Sequence, residues 1–387
     1  MDPVTFIGLL CNCSTDGNPK EELSPSLINR AFLIDRLLRP SGIALFLYSP
    51  HDVTSLAGVP GYTVEGDELV ASRKPIPRVN ANWTYGTRRL LNQGMGYNRF
   101  KRWAQENRIE IYVPYGFSEL VSNKRKAYEI VREYDAGLHP HTEDYVGSIA
   151  QIQSFLDRAD AVFIKPRSGN RGNNIFVLRN VTDGYTLKYY DQGAQRLFPS
   201  LTLEAAVGII GVAAGTKSYI IQEGIESARF EGAVFDIRVV MVNDGSQWHS
   251  ILETRLAPRN SDLSNVFQGG SIRVTESILL ELFGDEAARN LEMEIRNISL
   301  GIAGHLDPLY PGRLMELGFD FLLDCERKLH LIEVNAKPGV AGFGSETKLF
   351  EWKPEDESHY QRWVYPHVKH VAGFLKAKVE RPSLSGT

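Results

Sequence analysis

The stretch Met315–Gly339, MELGFDFLLDCERKLHLIEVNAKPG, decides how the rest of the chain is read. Two alternating runs, Glu316 to Leu323 and Leu329 to Asn335, flank a polar break from Asp324 to Lys328. That is the pattern of two antiparallel strands joined by a tight turn. A turn centred on Glu326 and Arg327 sets Asp320 opposite Glu333. Residues two apart share a face, so Asn335 projects beside Glu333, while Phe319, Phe321, Ile332 and Val334 fill the reverse. Carboxylates facing each other at about 5 Å between β-carbons destabilise a sheet unless something compensates them. A divalent cation is the expected compensator. A few hard oxygen ligands suit Mg²⁺, which completes its shell with water or substrate phosphate, so the pattern implies a nucleotide as well. The plainer alternative is a hairpin with solvated acids and a turn at Pro338-Gly339.

Working back from the hairpin, Ala233 to Val242 is a strand in which Asp236 and Arg238 share a face between apolar neighbours, and Trp248 to Leu256 is another, carrying Arg255. An Asp and an Arg two apart on a strand ordinarily pair or point to solvent. Between the second strand and the helical pattern from Glu276 to His305 lies a polar loop with Ser264, Asn265, Gly269 and Gly270. Upstream, Ser218 to Ile221 is a short strand running into Gln222, Glu223, Gly224 and Ile225. Such an end offers backbone to the edge of an adenine, with Ile225 against the ring, or is simply a core strand leaving into a loop. Thr182 to Ser200 reads as a surface hairpin and loop, and a helix starts at Leu203.

The run DAVFIKPRSGNRGNNIFVL, Asp160 to Leu178, reads as strand, small polar loop, strand. Lys165 ends the first strand; Ser168, Gly169, Asn170, Arg171, Gly172 and Asn173 form the loop. Glycines allow backbone N–H groups to approach phosphate oxygens, and Lys165 and Arg171 add charge. A Gly-Asn hairpin turn beside a basic residue is the ordinary alternative. Before it, SNKRKAYEIVREY is a helix with Ala127, Ile130, Val131 and Tyr134 at helical spacing. Lys124 sits at its start, where a cation opposes the helix dipole and is either solvated or held by an anion. His139 and His141, around Pro140, belong to a loop.

Residues 1 to about 115 alternate strand and helix: Val4 to Leu10, a helix from Ser24 to about Leu38, Ile43 to Tyr48, a loop-rich stretch, then a helix near Tyr97 to Asn107 and a strand at Ile109 to Val113. No glycine-rich dinucleotide fingerprint follows the first strand. At 387 residues, more than one folding unit is expected. With 43 Lys and Arg against 47 Asp and Glu, the net charge is −4, and no basic patch predicts nucleic acid or a membrane surface. The start, MDPVTFIGLLCNCS, lacks a basic n-region and reads as a first strand, and no apolar run spans a membrane. Cys11, Cys13 and Cys325 make no disulfide framework. A cytoplasmic protein is the default expectation.

Taken in order, Lys124, Lys165 with its Ser-Gly-Asn-Arg-Gly loop, QEGI at 222–225, FDIR at 235–238, SNVFQGG at 264–270, and LGFDF with LIEVNAKPG resemble the ATP-grasp superfamily over about residues 115–345. With KPIPRVNANW at 74–83, the chain resembles the endospore-coat-associated YheC/YheD branch. The resemblance implies an α/β (α+β) ATP-grasp fold. An N-terminal Rossmann-like domain would cover 1–115, a central subdomain with the phosphate loop 116–220, a C-terminal subdomain with the metal site 221–379, and a flexible tail 380–387.

It also implies roles. Lys124 and Lys165 would hold the α- and β-phosphates, and Ser168, Gly169, Arg171 and Gly172 would close over the triphosphate. Backbone at Gln222 and Glu223 would meet the adenine with Ile225 on its ring, and Asp236 the ribose; Asn265 would lie near the γ-phosphate. Asp320, Glu333 and Asn335 would ligate Mg²⁺, with Mn²⁺ as a substitute, while Arg255 and Arg238 stabilise an acyl-phosphate and the tetrahedral species after it. Leu263 stands where related peptide ligases often carry a basic residue, so the acceptor side is built differently. The implied reaction is ATP-dependent joining of a small-molecule carboxylate to an amine, ADP-forming, without nucleic acid or membrane and compatible with a homodimer. An ATP-grasp kinase acting on a hydroxyl and a non-catalytic coat-associated protein are the alternatives.

Overall fold

Ser24 and Pro25 set the first helix. The Ser24 hydroxyl accepts from the Leu27 N–H at 3.3 Å and Pro25 occupies the first turn, where its missing donor costs nothing. The computed structural model describes residues 4–12, 23–84, 97–169, 172–264, 270–339 and 360–380. The N-terminal part runs β1 (Thr5–Leu10), α1 (Pro25–Leu38), β2 (Ile43–Tyr48), β3 (Val59–Glu65), β4 (Glu68–Lys74), β5 (Val79–Asn82), α2 (Tyr97–Glu106) and β6 (Glu110–Tyr112). Its sheet has the order β4-β3-β2-β1-β5-β6, with β2, β1, β5 and β6 parallel. The stretch after Tyr48, expected as loop, contains the antiparallel β3–β4 hairpin. Gly61, which reads as loop punctuation, lies inside β3, where a β-carbon would run into the Leu47 carbonyl and the Phe46 ring.

The central part follows: α3 (Tyr115–Ser122), α4 (Lys124–Tyr134), β7 (Thr142–Asp144), α5 (Ile149–Leu156), β8 (Ala161–Pro166), β9 (Ile175–Val181), β10 (Gly184–Asp191), β11 (Ala194–Leu201), α6 (Leu203–Ala214) and β12 (Tyr219–Glu223). Its sheet, β11-β10-β9-β8-β12-β7, is antiparallel throughout.

The third sheet is built from β13 (Arg229–Phe230), β14 (Ala233–Asn243), β15 (Trp248–Leu256), β16 (Ser271–Arg273), β17 (Glu316–Leu323) and β18 (Leu329–Asn335). The order is β16-β15-β14-β17-β18, with β13 on β14. The single helical pattern from Glu276 to His305 is two helices, α7 (Thr275–Phe283) and α8 (Asp285–Leu306), because Gly284 breaks the run at φ +80°. The closing helical stretch, which the sequence predicts over Glu355 to Val379 with an interruption at Pro366, is a π-helical turn (Tyr360–Val364) running directly into α9 (Tyr365–Glu380), so the winding changes at the residue before the proline. Residues 355–359 of the expected helix and 381–387 of the expected tail lie outside the described residues.

Two large cores dominate, beside a smaller one around Phe46, Tyr48 and Phe100 on the N-terminal sheet and a minor cluster at Val177 and Tyr190 on the central one. One runs continuously from the N-terminal to the C-terminal sheet, joining Leu27, Phe32 and Leu45 to Phe319, Phe321 and Phe374; Tyr112 of β6 meets Phe374 of α9 edge-to-face at 5.1 Å. The central sheet has its own core around Phe155, Phe176, Leu187 and Tyr219. The cleft lies between these two bodies.

Candidate functional site

One wall comes from the central sheet. Lys165 near the end of β8 is buried, and its ammonium donates to the Gln222 side-chain oxygen at 2.6 Å. Gln222 in turn donates to the Thr142 hydroxyl at 3.0 Å. Burial pushes Lys165 down to about 8, helped by the Lys124 charge and opposed by Glu333. His139 stands 3.5 Å from the Gln222 amide, and burial drives it to about 4, so its imidazole is neutral. It belongs to a loop, as expected, but a loop that lines the cleft.

Lys124 is fixed by backbone on the same side. Asn123 caps α4 and bridges Ser168, and the Lys124 N–H donates to the Arg167 carbonyl at 2.8 Å. Its ammonium donates to the Gly169 carbonyl at 3.1 Å and to Glu333 at 2.7 Å, although the apolar face of α4 packs with the third sheet. Of the glycine loop, Gly172 holds φ +71°, a conformation glycine adopts without strain. Arg171, Asn265 and Gly269 lie outside the described residues.

The opposite wall is a ladder of charges on the third sheet. Register sets Asp236 opposite Arg255, Arg238 opposite Asp320, and Asp320 opposite Glu333. Arg255 grips Asp236 with two hydrogen bonds of 2.6 and 2.7 Å and reaches Asp320 at 2.9 Å. Arg238 donates twice to Asp320, one bond at 2.8 Å. Asp236 and Arg238 therefore pair across strands, not with each other. Burial works to raise Asp320, but the Arg238 and Arg255 charges outweigh it and hold the carboxyl at about 2. For Asp236 burial wins and its pKa is raised against the pull of Arg255. A ribose contact at Asp236 would share oxygens that already accept from Arg255 and from the Ser264 hydroxyl.

The facing of Asp320 and Glu333 is achieved through a bulge. Near the turn Phe321 pairs with Leu331, and the ladder shifts between Asp320 and Phe321, leaving Ile332 as the extra residue. Ile332 consequently lines the cleft instead of filling the reverse, where Leu331 joins Phe319, Phe321 and Val334 in the core. Asn335 shares the acids' face, paired with Gly318, and its side-chain nitrogen is buried without a hydrogen-bond partner. Amide oxygen and nitrogen are distinguished only by their bonding network, so the orphaned position equally accommodates the oxygen turned toward a cation. Here Arg238 and Arg255 balance Asp320 and Lys124 balances Glu333, so the compensation expected of a cation is supplied by side chains; two carboxylates and an orphaned amide on one face fit a hard divalent ion that shares or displaces those partners.

The adenine expectation is altered in one respect. β12 has β8 on one side and β7 on the other, and the Glu223 N–H is donated to the His141 carbonyl at 2.9 Å. Gln222 lines the cleft, its side-chain oxygen on the Lys165 ammonium, and Ile225 lies three residues on, half-buried.

Two groups escaped sequence reasoning. Lys337 continues the Glu333, Asn335 alternation and crosses to the N-terminal sheet, donating to the Thr84 carbonyl at 2.8 Å and the Asn82 side-chain oxygen at 3.3 Å. Burial pushes it down to about 7, opposed by Glu316. Glu316 is itself sealed among Arg30, His367 and the Trp83 indole, the last donating at 3.2 Å. Alternation was the available signal for Lys337; nothing local marks Glu316.

A self-contained antiparallel subdomain closing on a second sheet, with lysines on one wall and carboxylates on the other, is an ATP-grasp fold. The model of the YheC/D-like ATP-grasp family matches residues 115–353, and the chain belongs to that family. The Bacillus subtilis (strain 168) endospore coat-associated protein YheD is 23% identical over 309 residues, covering 77% of this chain and 65% of YheD. YheC of the same organism is 24% identical over 196 residues, covering 50% of this chain and 53% of YheC. The match thus spans less than two thirds of either relative. Among solved structures, D-alanyl-alanine synthetase A from Vibrio cholerae O1 biovar eltor str. N16961 shares the fold at TM-score 0.53 and 13% identity, covering 97% of this chain and 99% of that one. D-cycloserine synthetase DcsG shares it at TM-score 0.52 and 12% identity, covering 97% and 99%. No helix among the described residues is long and apolar enough to cross a membrane.

Proposed function

We propose that the chain is an ATP- and Mg²⁺-dependent carboxylate–amine ligase of the cytoplasm, forming an amide through an acyl-phosphate. The observation that carries this reading is the Lys124–Glu333 ion pair in the cleft, 2.7 Å long, with Lys165 buried beside it. The cation is one that a phosphate takes over, and the anion is one that a metal takes over. Glu333, Asp320 and Asn335 would hold the Mg²⁺, which when bound screens the phosphate charge. Lys124 and Lys165 would hold the phosphates, and Ser168, Gly169 and Gly172 would exclude water from them.

The substrate carboxylate oxygen attacks the γ-phosphorus and ADP leaves. The amine then attacks the acyl carbon, loses its proton and expels phosphate. Arg255 and Arg238, already fixed by Asp236 and Asp320, are preorganised donors for the charge that develops at the acyl oxygen. Lys337, with Asn82 and Thr84, stands on the side of the N-terminal sheet, which we assign to the acceptor.

The test is a phosphate-release screen over pairs of amino acids and small acids, with mass spectrometry of the product. Free phosphate with an amide supports the reading. ADP with a phosphorylated product would make the chain a kinase instead. Unimpaired turnover by Glu333→Gln or Lys165→Ala would overturn the site.

A further inference from the structure

At the end of the third sheet away from the cleft, the turn joining β14 to β15 docks on α9. Gly245 in that turn adopts φ +95°, and a β-carbon there would lie 2.6 Å from the Ala377 β-carbon. On the helix, a β-carbon at Gly373 would stand 3.3 Å from the Asp244 carbonyl oxygen. Glycine on both surfaces lets turn and helix approach closely, and the approach brings three metal-ligating side chains together. Asp244, His249 and His370 present one ligand atom each, all within 4.8 Å of one another. The His249 and His370 rings stack at 3.7 Å and 10°, and His249 Nε2 lies 2.6 Å from Asp244 Oδ2.

The carboxylate is held as a metal ligand's is held. Asp244 Oδ1 accepts from the Ser246 N–H at 2.8 Å, the Ser246 hydroxyl at 2.7 Å and the Gln247 N–H at 3.0 Å. That fixes the group and leaves Oδ2 for the histidines. We propose that Asp244, His249 and His370 form a site for a borderline divalent transition cation, represented by Zn²⁺, which staples the β14–β15 turn to α9. Two imidazoles and a carboxylate select such an ion over Mg²⁺, which prefers oxygen ligands and keeps its waters. A metal lies in the plane of each imidazole it binds, so one of the two stacked rings must turn out of parallel, and the donors must close to about 3.3 Å for tetrahedral bonds of roughly 2.0–2.1 Å. The fourth position goes to water, since the Asp244 and His249 side chains are 23% and 26% exposed. Six residues of strand separate Asp244 from Arg238, roughly 20 Å, so this site is separate from the cleft. Because α9 also packs into the core shared with α1, the ion would tie the third sheet to the helix that braces the N-terminal sheet.

The experiment is equilibrium dialysis of the chelator-stripped full chain against Zn²⁺ in excess Mg²⁺, with bound zinc measured by mass spectrometry and Co²⁺ as the spectroscopic probe. Wild type and Glu333→Gln should each retain a single zinc, with histidine-ligated Co²⁺ absorption. His370→Ala should lose it, and His249→Gln should weaken it about tenfold or more. His249→Gln alters a half-exposed strand position, so it decides the matter even should His370→Ala fail to fold. Absence of zinc from wild type, or equal zinc in wild type and His249→Gln, overturns the proposal.

Discussion

Glu316 and Asp320 lie four residues apart on the same face of the same strand, both are buried, and both carboxyls are held at about 2. Their neighbours differ. Glu316 is closed in by Arg30, His367 and Trp83, from α1, α9 and the segment after β5, and no part of its side chain meets solvent. Asp320 is held by Arg238 and Arg255, but it faces Glu333, whose partner Lys124 heads a helix of the same core and also bonds the Gly169 carbonyl of the central sheet's loop. The Lys124 and Glu333 side chains are 17% and 32% exposed, enough for incoming ions to reach them. Equal burial of charge therefore serves two ends. One carboxylate braces domains, and the other anchors a set of charges that can exchange partners.

The largest expected effect breaks the exchangeable end. Lys165→Ala or Glu333→Gln should lower ADP formation by about 10²–10³-fold or more while leaving the melting temperature close to wild type. Steady-state assay beside a thermal melt checks both halves. Next, Glu316→Ala should cost about 3–5 kcal/mol of stability, because it strands Arg30 in the interior; chemical denaturation measures this.

Acid sharpens the contrast further. In the folded chain burial opposes ionisation of Glu316, yet Arg30 and His367 hold its carboxyl at about 2, below its ordinary 4.5. Its stabilisation is therefore present above about 4.5 and is lost as pH falls toward about 2. Stability measured down the acid limb should fall less steeply in Glu316→Gln than in wild type.

A smaller effect is predicted for proton linkage. Lys165 sits at about 8 in the free chain, and a bound triphosphate favours its charged form. Nucleotide binding slightly above that pH should take up roughly half to one proton, and binding near neutrality almost none. Calorimetry in buffers of different ionisation enthalpy reads this directly. The smallest change is expected at Val212, 88% exposed on α6, where Val212→Ser should shift stability by no more than about 0.5 kcal/mol.

What could be read from the chain follows the range of the interactions. The hairpin with Asp320 opposite Glu333, the cap at Ser24 and the strand ending at Lys165 are local, and periodicity or capping exposed them. The bulge that turns Ile332 into the cleft is a register event that alternation cannot anticipate. The β3–β4 hairpin was hidden because Gly61 looks like a turn residue, and only the neighbouring strand explains it. Asp236 shows the same limit. Its partners Arg255 and Ser264 lie 19 and 28 residues away, so the local pattern said only that Asp236 pairs or meets solvent, and the ribose role came from the family resemblance. Glu316 depends on contacts 286 and 233 residues distant, beyond any local pattern.

In the proposed function the Lys124–Glu333 pair gives way to phosphate and metal. Calorimetric titration with ATP, with Mg²⁺ and with chelator, on wild type, Lys165→Ala and Glu333→Gln, tests it without knowledge of either substrate. Saturable binding that needs Mg²⁺ and is lost or greatly weakened in both variants is the expected result. Binding indifferent to Mg²⁺ and to both substitutions, or no binding by wild type, would contradict it.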